Sequence, residues 1–181
     1  MKPVIAQLTL KLIKFFLLLL FLLPSVGGTQ SSSSYLEKLI ALPQRGIQTP
    51  AGDQLDTLIA STPPQMAQGL SGIKESEFKR NQALFFNYKT SAPRRFWMPD
   101  TYFGLDLLFL SSTLKITHIV RKLKHHKGRQ GKIPTTKAYP CRYVVELRSD
   151  GEIAKKLRVG DQLKWTPLAS EGRESKTRSS K

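Results

Sequence analysis

Hydrophobic positions divide the chain into three unequal parts. Residues 15–23 form an unbroken apolar run, Phe-Phe-Leu-Leu-Leu-Leu-Phe-Leu-Leu. From about 53 to 166 apolar residues come in short groups, and beyond 167 the chain is mostly Ser, Lys, Arg and Glu. In the middle part, 55–60, 83–86, 96–98 and 105–110 are apolar runs of strand length. Ile116, His118 and Val120 alternate with Thr117, Ile119 and Arg121, so neither face of that strand is wholly polar. Cys141, Tyr143, Val145 and Leu147 alternate with Arg142, Val144 and Glu146 as in a half-buried strand, and 162–166 supplies a last one. Thr62-Pro63-Pro64 signals a helix start, with Thr62 as N-cap and Pro63 in the first helical position. That helix runs to about Gly69 and buries Met66 and Leu70. Asp150-Gly151 turns the chain, and Asp150 caps a second short helix carrying Ile153 and Leu157. The pattern predicts a mainly β (α+β) domain: a small curled sheet or barrel of about six or more short strands with two short helices.

The flanks read differently. Lys2, Lys11 and Lys14 precede the apolar run, and Pro24-Ser25-Val26-Gly27 follows it. A charged segment, a short apolar core and small residues at −3 and −1 describe a signal peptide over 1–27, cleaved before Gly28. The rival reading is an uncleaved membrane anchor, but nine residues of helix rise only about 14 Å against roughly 30 Å of hydrocarbon. Export to the periplasm or beyond is therefore expected. Residues 28–52 read as a linker or loosely attached arm, in which 35–42 can form a short amphipathic helix before Pro43, Gly46 and Pro50 interrupt it. Residues 167–181 read as a disordered basic tail, leaving 53–166 as the folded domain.

Composition narrows the chemistry. The 181 residues include 29 Lys and Arg against 13 Asp and Glu, a net charge of +16. The three lysines before Gly28 leave 26 basic residues and all 13 acids on the remainder, +13. Such a charge favours acidic partners and is silent on fold. The only cysteine, Cys141, excludes an intrachain disulfide and a Cys-built zinc cage.

Four stretches carry a family resemblance. They are Met66-Ala67-Gln68-Gly69-Leu70; Ala83-Leu84-Phe85; Phe96-Trp97-Met98-Pro99-Asp100-Thr101 with Leu105-Asp106-Leu107-Leu108-Phe109; and Arg142-Tyr143-Val144-Val145-Glu146-Leu147 with Gly160-Asp161. In this order they resemble the family catalogued as domain of unknown function 192, over about 55–166. The resemblance implies a compact β-rich fold, often exported, with no settled activity. Met66 stands where that pattern has Arg, Asp100 where it has Asn, and Gly104 where it has Pro.

Two surfaces are candidates for function. Eight aromatic residues lie between Phe85 and Phe109. Most serve as core, but Trp97 sits close in sequence to Asp100, Thr101 and Asp106. A Trp lining a cleft offers a stacking face, while two carboxylates and a hydroxyl orient a small polar ligand. The second surface is basic: from Leu107 to Val145 nine Lys and Arg occur with no acid. Arg121, Lys122, Lys124, Lys127, Arg129 and Lys132 are the candidate polyanion-binding residues, suited to anionic lipid or cell-wall polymer. Tyr139 is the only aromatic of the loop region, which argues against sequence-specific nucleic-acid recognition. His118, His125 and His126 match no zinc spacing, and His125-His126 lies between two lysines, so no metal is expected. No nucleophile elbow, phosphate loop or dinucleotide fingerprint appears, so no catalytic residue or cofactor is assigned. The reading is an exported, monomeric, single-domain binding protein. Its alternative is a cell-envelope enzyme acting through Asp100 and Asp106.

Overall fold

Strands form where apolar residues recur at a spacing of one or two, and seven of them join into one sheet. A computed structural model describes residues 32–168, with side chains from Ser34 onward. The signal peptide read at 1–27 and the tail from 169 lie outside the described residues. The strands are β1 (Gln44–Gln48), β2 (Gln54–Ala60), β3 (Gln82–Arg94), β4 (Leu105–Leu110), β5 (Ile116–Leu123), β6 (Tyr139–Arg148) and β7 (Lys164–Thr166). Among the described residues three helices accompany them, α1 (Ser32–Ile40), α2 (Pro63–Gln68) and α3 (Glu152–Lys156). The strand order is β5-β4-β6-β3-β2-β1-β7.

All neighbours are antiparallel except β2 and β3. A parallel pair needs a crossover, and residues 61–81, with α2 and a 3-10 turn at Glu75–Glu77, provide it. Thr62 caps α2 through Gln65 N–H, while the Gln65 side chain accepts from Thr62 N–H, a closed capping box. Gly69 ends the helix at φ +51, a backbone state that favours glycine. Met66 ends up only partly buried and Leu70 fully so.

Both faces of the sheet are covered, which is why β4 is buried at all six positions. Leu58, Leu84, Phe86, Leu107 and Phe109 join Leu39 of α1, Ile73 of the crossover and Phe96, Met98 and Phe103 in one core. Leu55, Phe85, Leu108, Val145 and Leu147 join Ala154 of α3, Leu157 and Leu163 in the other. The sheet curls without closing into a barrel. Its edges touch at one bridge, Lys115 to Gln162, backed by Ile116 N–H donating to Asp161 O at 2.9 Å.

Four expectations change. Residues 44–48, read as part of a linker or arm, form an interior strand between β2 and β7. Their single apolar signal, Ile47, is fully buried. Gly46 acts here as a contact residue: the carbonyl of Pro167 and the hydroxyl of Thr166 occupy the space a Cβ would need. Residues 96–98 are not a strand, because only Trp97 makes a bridge, to Thr135. β3 runs on to Arg94, eight residues past its apolar part, with an irregularity between Asn87 and Ala92. Asp150 does not cap α3, whose N-cap is Gly151. Its carboxylate instead accepts from Arg148 and Arg80, which hold it down at about 2.

Candidate functional site

Glu146 lies at the centre of the sheet, opposite Leu84 of β3 and Leu107 of β4. The apolar neighbours leave it 5% exposed, and its Oε2 has no hydrogen-bond partner. Desolvation pushes its carboxyl from an ordinary 4.5 up to about 8, so it is protonated at neutral pH. The carboxyl lines a cavity of about 40 Å³, together with 66–71 of the crossover, Phe86, 96–99, Thr101 and Leu105. That is room for roughly two or three waters or one small polar group. Gly69 stands over it: a Cβ at this position would lie 3.7 Å from Glu146 Oε2 and 3.6 Å from Phe86 Cζ. A larger residue would combine backbone strain with a narrowed cavity.

Trp97 lines the same cavity yet is 55% exposed. Buried Phe96 and Met98 on either side, with Met98 N–H donating to Pro134 O at 3.1 Å, hold its backbone. Trp97→Ala is therefore expected to cost less than about 1 kcal/mol of stability, far below the roughly 3–5 kcal/mol of a core aromatic. Urea unfolding checks this, and a loss on the core scale would mean that the ring supports the fold.

The other sequence-predicted ligand residues separate. Thr101 also lines the cavity, but its hydroxyl donates to Pro99 O at 3.2 Å, and its N–H donates to His126 O. Asp100 sits at φ +48 and turns outward: its Oδ1 accepts from Gly128 N–H at 3.3 Å. Asp106 alternates with Leu105 and Leu107 and so points to the opposite face of the sheet from Trp97. There Arg121 Nη1 at 2.6 Å and Lys122 N–H at 2.8 Å satisfy it. Asp100 and Asp106 thus do not converge on one substrate position. Glu146, absent from the sequence-derived site, is the acid that does face the cavity.

The residues that build this site all lie within a segment that matches a family model. The DUF192 profile, described as Uncharacterized ACR, matches residues 46–165. The chain belongs to the DUF192 family. Two solved structures share the fold. One is a proposed transcription regulator from Sinorhizobium meliloti 1021, 24% identical over 70% of this chain and 97% of that one, with a TM-score of 0.57. The other is a protein of unknown function from Novosphingobium aromaticivorans DSM 12444, 20% identical over 67% and 84%, with a TM-score of 0.54. No curated protein matches.

In this DUF192 domain the three departures from the family pattern have local consequences. Met66 lines the cavity, so the position of the pattern's Arg places no cation beside Glu146. Asp100 sits at φ +48, a state that Asp and Asn both tolerate. Gly104 suits a tight spot, where a Cβ would approach Ser149 Oγ to 2.8 Å.

The basic loop of the domain, 124–138, connects β5 to β6 and lies along the Trp97 segment. Thr136 N–H donates to Phe96 O at 2.8 Å, Asp100 N–H to Gly128 O at 2.7 Å, and Thr101 and His126 exchange backbone hydrogen bonds. Lys122, Lys124, Lys127, Arg129 and Lys132 are exposed. Arg121 is different, since its guanidinium is spent on Asp106 and on the carbonyls of Ala154 and Leu157. It belongs to the fold rather than to an open cationic surface. The histidines do not gather: His118 packs against Tyr139 at 4.8 Å, and His126 Nε2 meets Gln130 O at 2.7 Å. Among the described residues no group of three or more metal-ligating side chains occurs. Cys141 is buried, which pushes its thiol up.

Proposed function

We propose that this DUF192 domain is a binding module for a small polar ligand, one group of which enters the cavity beside Glu146 while the rest lies against Trp97. The observation that carries the reading is a buried carboxyl, one oxygen of which has no hydrogen-bond partner, among the residues that line the cavity. An unpaired buried polar group costs about 1–3 kcal/mol, and strongly shifted acids concentrate at functional sites. A ligand hydrogen bond would recover that cost. The test is an NMR screen with glycerol, glucose, acetamide and imidazole. At least one is expected to shift the amides of 69–71 and 96–98, and Glu146→Leu is expected to remove those shifts. If the cavity amides respond to none of the four and to no charged derivative of them, the reading fails.

A second reading, association with anionic surfaces through the basic loop, is favoured by the exposure of Lys124, Lys127, Arg129 and Lys132. None of the four makes an ion pair among the described residues. Changing these four to Gln is expected to flatten the salt dependence of retention on anionic vesicles while leaving the melting temperature nearly unchanged. Identical retention of the two proteins would make the loop a merely solvated face.

The proposed setting is outside the cytoplasm, on the strength of the n-region, apolar core and small residues at 1–27. N-terminal sequencing of protein from the exported fraction is expected to begin near Gly28. Recovery of intact Met1 in membranes would favour the anchor instead.

A further inference from the structure

The cavity and the basic loop, separate in sequence, adjoin in the fold. Residues 96–101 are hydrogen-bonded along 126–136, so Trp97, half-exposed and lining the cavity with Glu146, is itself bridged to the loop at Thr135. Lys132 is two residues from Pro134, whose carbonyl accepts from Met98 N–H. Two extended residues span about 7 Å, and a lysine side chain reaches further. Lys127 and Arg129 flank Gly128, which exchanges hydrogen bonds with Asp100. Asp100 is the carboxylate held nearest the loop, and it faces the Gly128 backbone.

We infer that the ligand is an acidic saccharide: a hydroxyl or hydroxymethyl group enters the cavity to Glu146, the sugar ring lies on Trp97, and its carboxylate or phosphate meets Lys127, Arg129 and Lys132. This rests on the binding reading above and assigns its chemical class. Three features select that class together. The cavity, about 40 Å³, admits one small polar group and not a ring. A protonated carboxyl both donates and accepts, and a hydroxyl does the same, so the two pair reciprocally. An ammonium group only donates, and its approach crosses a loop of like charge. The half-exposed indole supplies an apolar face for a ring held outside the cavity. The loop supplies the counter-charge for an acid group.

Calorimetric titration of the full-length protein tests the assignment. The probes are glucose, glucose 6-phosphate, galacturonate, trigalacturonate, 2-aminoethyl phosphate, inorganic phosphate and duplex DNA. Glucose 6-phosphate or the galacturonates are expected to bind at least tenfold more tightly than glucose and than inorganic phosphate. A preference for trigalacturonate over galacturonate identifies a polymer as the source, and equal affinity identifies a free sugar acid. Trp97→Ala and Glu146→Leu are each expected to weaken the bound probe at least tenfold, with the melting temperature lowered by no more than a few degrees in the first and not lowered in the second. The triple change of Lys127, Arg129 and Lys132 to Gln is expected to weaken it comparably and to reduce its salt dependence. The inference is overturned if inorganic phosphate or duplex DNA binds as well as any saccharide, because charge alone then explains the loop. It is equally overturned if 2-aminoethyl phosphate is preferred, or if Trp97→Ala and Glu146→Leu leave acidic-sugar binding unchanged. A neutral probe that shifts the cavity amides without acidic-sugar binding would overturn the class and leave the binding module standing. Only silence of the cavity toward every probe removes both.

Discussion

Glu146→Gln is expected to abolish a fall in stability that the native protein shows between about pH 4.5 and pH 8. The folded carboxyl holds its proton to about pH 8, while in the unfolded chain it releases it near 4.5. Between those values the unfolded state binds fewer protons, so raising the pH favours unfolding by about 1.4 kcal/mol per unit. The stability is complete below the lower value and lost as the pH climbs to the upper one, and it levels off above. At pH 7 the burden amounts to about 3 kcal/mol, a large fraction of a small domain's stability. Glutamine cannot ionise and still fits. After allowance for its own buried N–H groups, the variant is expected to be about 2 kcal/mol more stable at pH 7 and no more stable at pH 4. Urea unfolding of both proteins from pH 4 to 9 measures the difference. Asp150 does not obscure it, because its depressed carboxyl contributes stability that is lost only below its ordinary 3.8, on the way to about 2. Parallel curves for the two proteins would show that Glu146 is not the buried acid described.

Arg121→Ala is expected to destabilise the domain by about 3 kcal/mol. Asp106 is 3% exposed at its side chain and Arg121 34%. Removing the guanidinium strands a buried carboxylate with one backbone N–H as its remaining partner, and also leaves the carbonyls of Ala154 and Leu157 short of a donor. Breaking a buried ion pair from one side costs about 3–5 kcal/mol, and the partial exposure of Arg121 puts this case at the lower end. A melting temperature within a degree or two of the native protein's would contradict the role. The contrast with Lys127→Gln in the same basic segment, expected to be nearly neutral, separates fold from surface.

Asp106 and Glu146 look alike in sequence. Each is a single acid among Leu or Val residues on a strand, and only Asp106 stands close in sequence to Trp97. The signal for Glu146 was present: a carboxylate between Val145 and Leu147 has apolar strand neighbours, as Asp106 does. What separates them is a partner that sequence spacing does not reveal. Arg121 reaches Asp106 because β4 and β5 are adjacent, whereas the strands beside Glu146 present Leu84 and Leu107. The mainly β fold, the α2 cap at Thr62 and most strands were legible because local periodicity and turn chemistry specify them. β1 was not, since four of its five residues are polar or glycine and only its pairing with β2 and β7 makes it a strand. The adjacency of Trp97 and the basic loop was hidden for the same reason: it depends on hydrogen bonds between residues 25 to 40 positions apart.

The bridge from Lys115 to Gln162 and the pairing of β7 with β1 also bear on how the molecule assembles. β7 pairs with residues 46–48, more than a hundred positions earlier in the chain. Leu157 and Leu163, which complete the second core, arrive with it. During synthesis, then, the strands that hold Glu146 can pair before the second core has its cover. Such distant contacts slow folding, because loop entropy is lost before they return any stability. A nascent or shortened chain ending before residue 160 would present the apolar residues of that core to water, and with them a surface for chaperones or proteases.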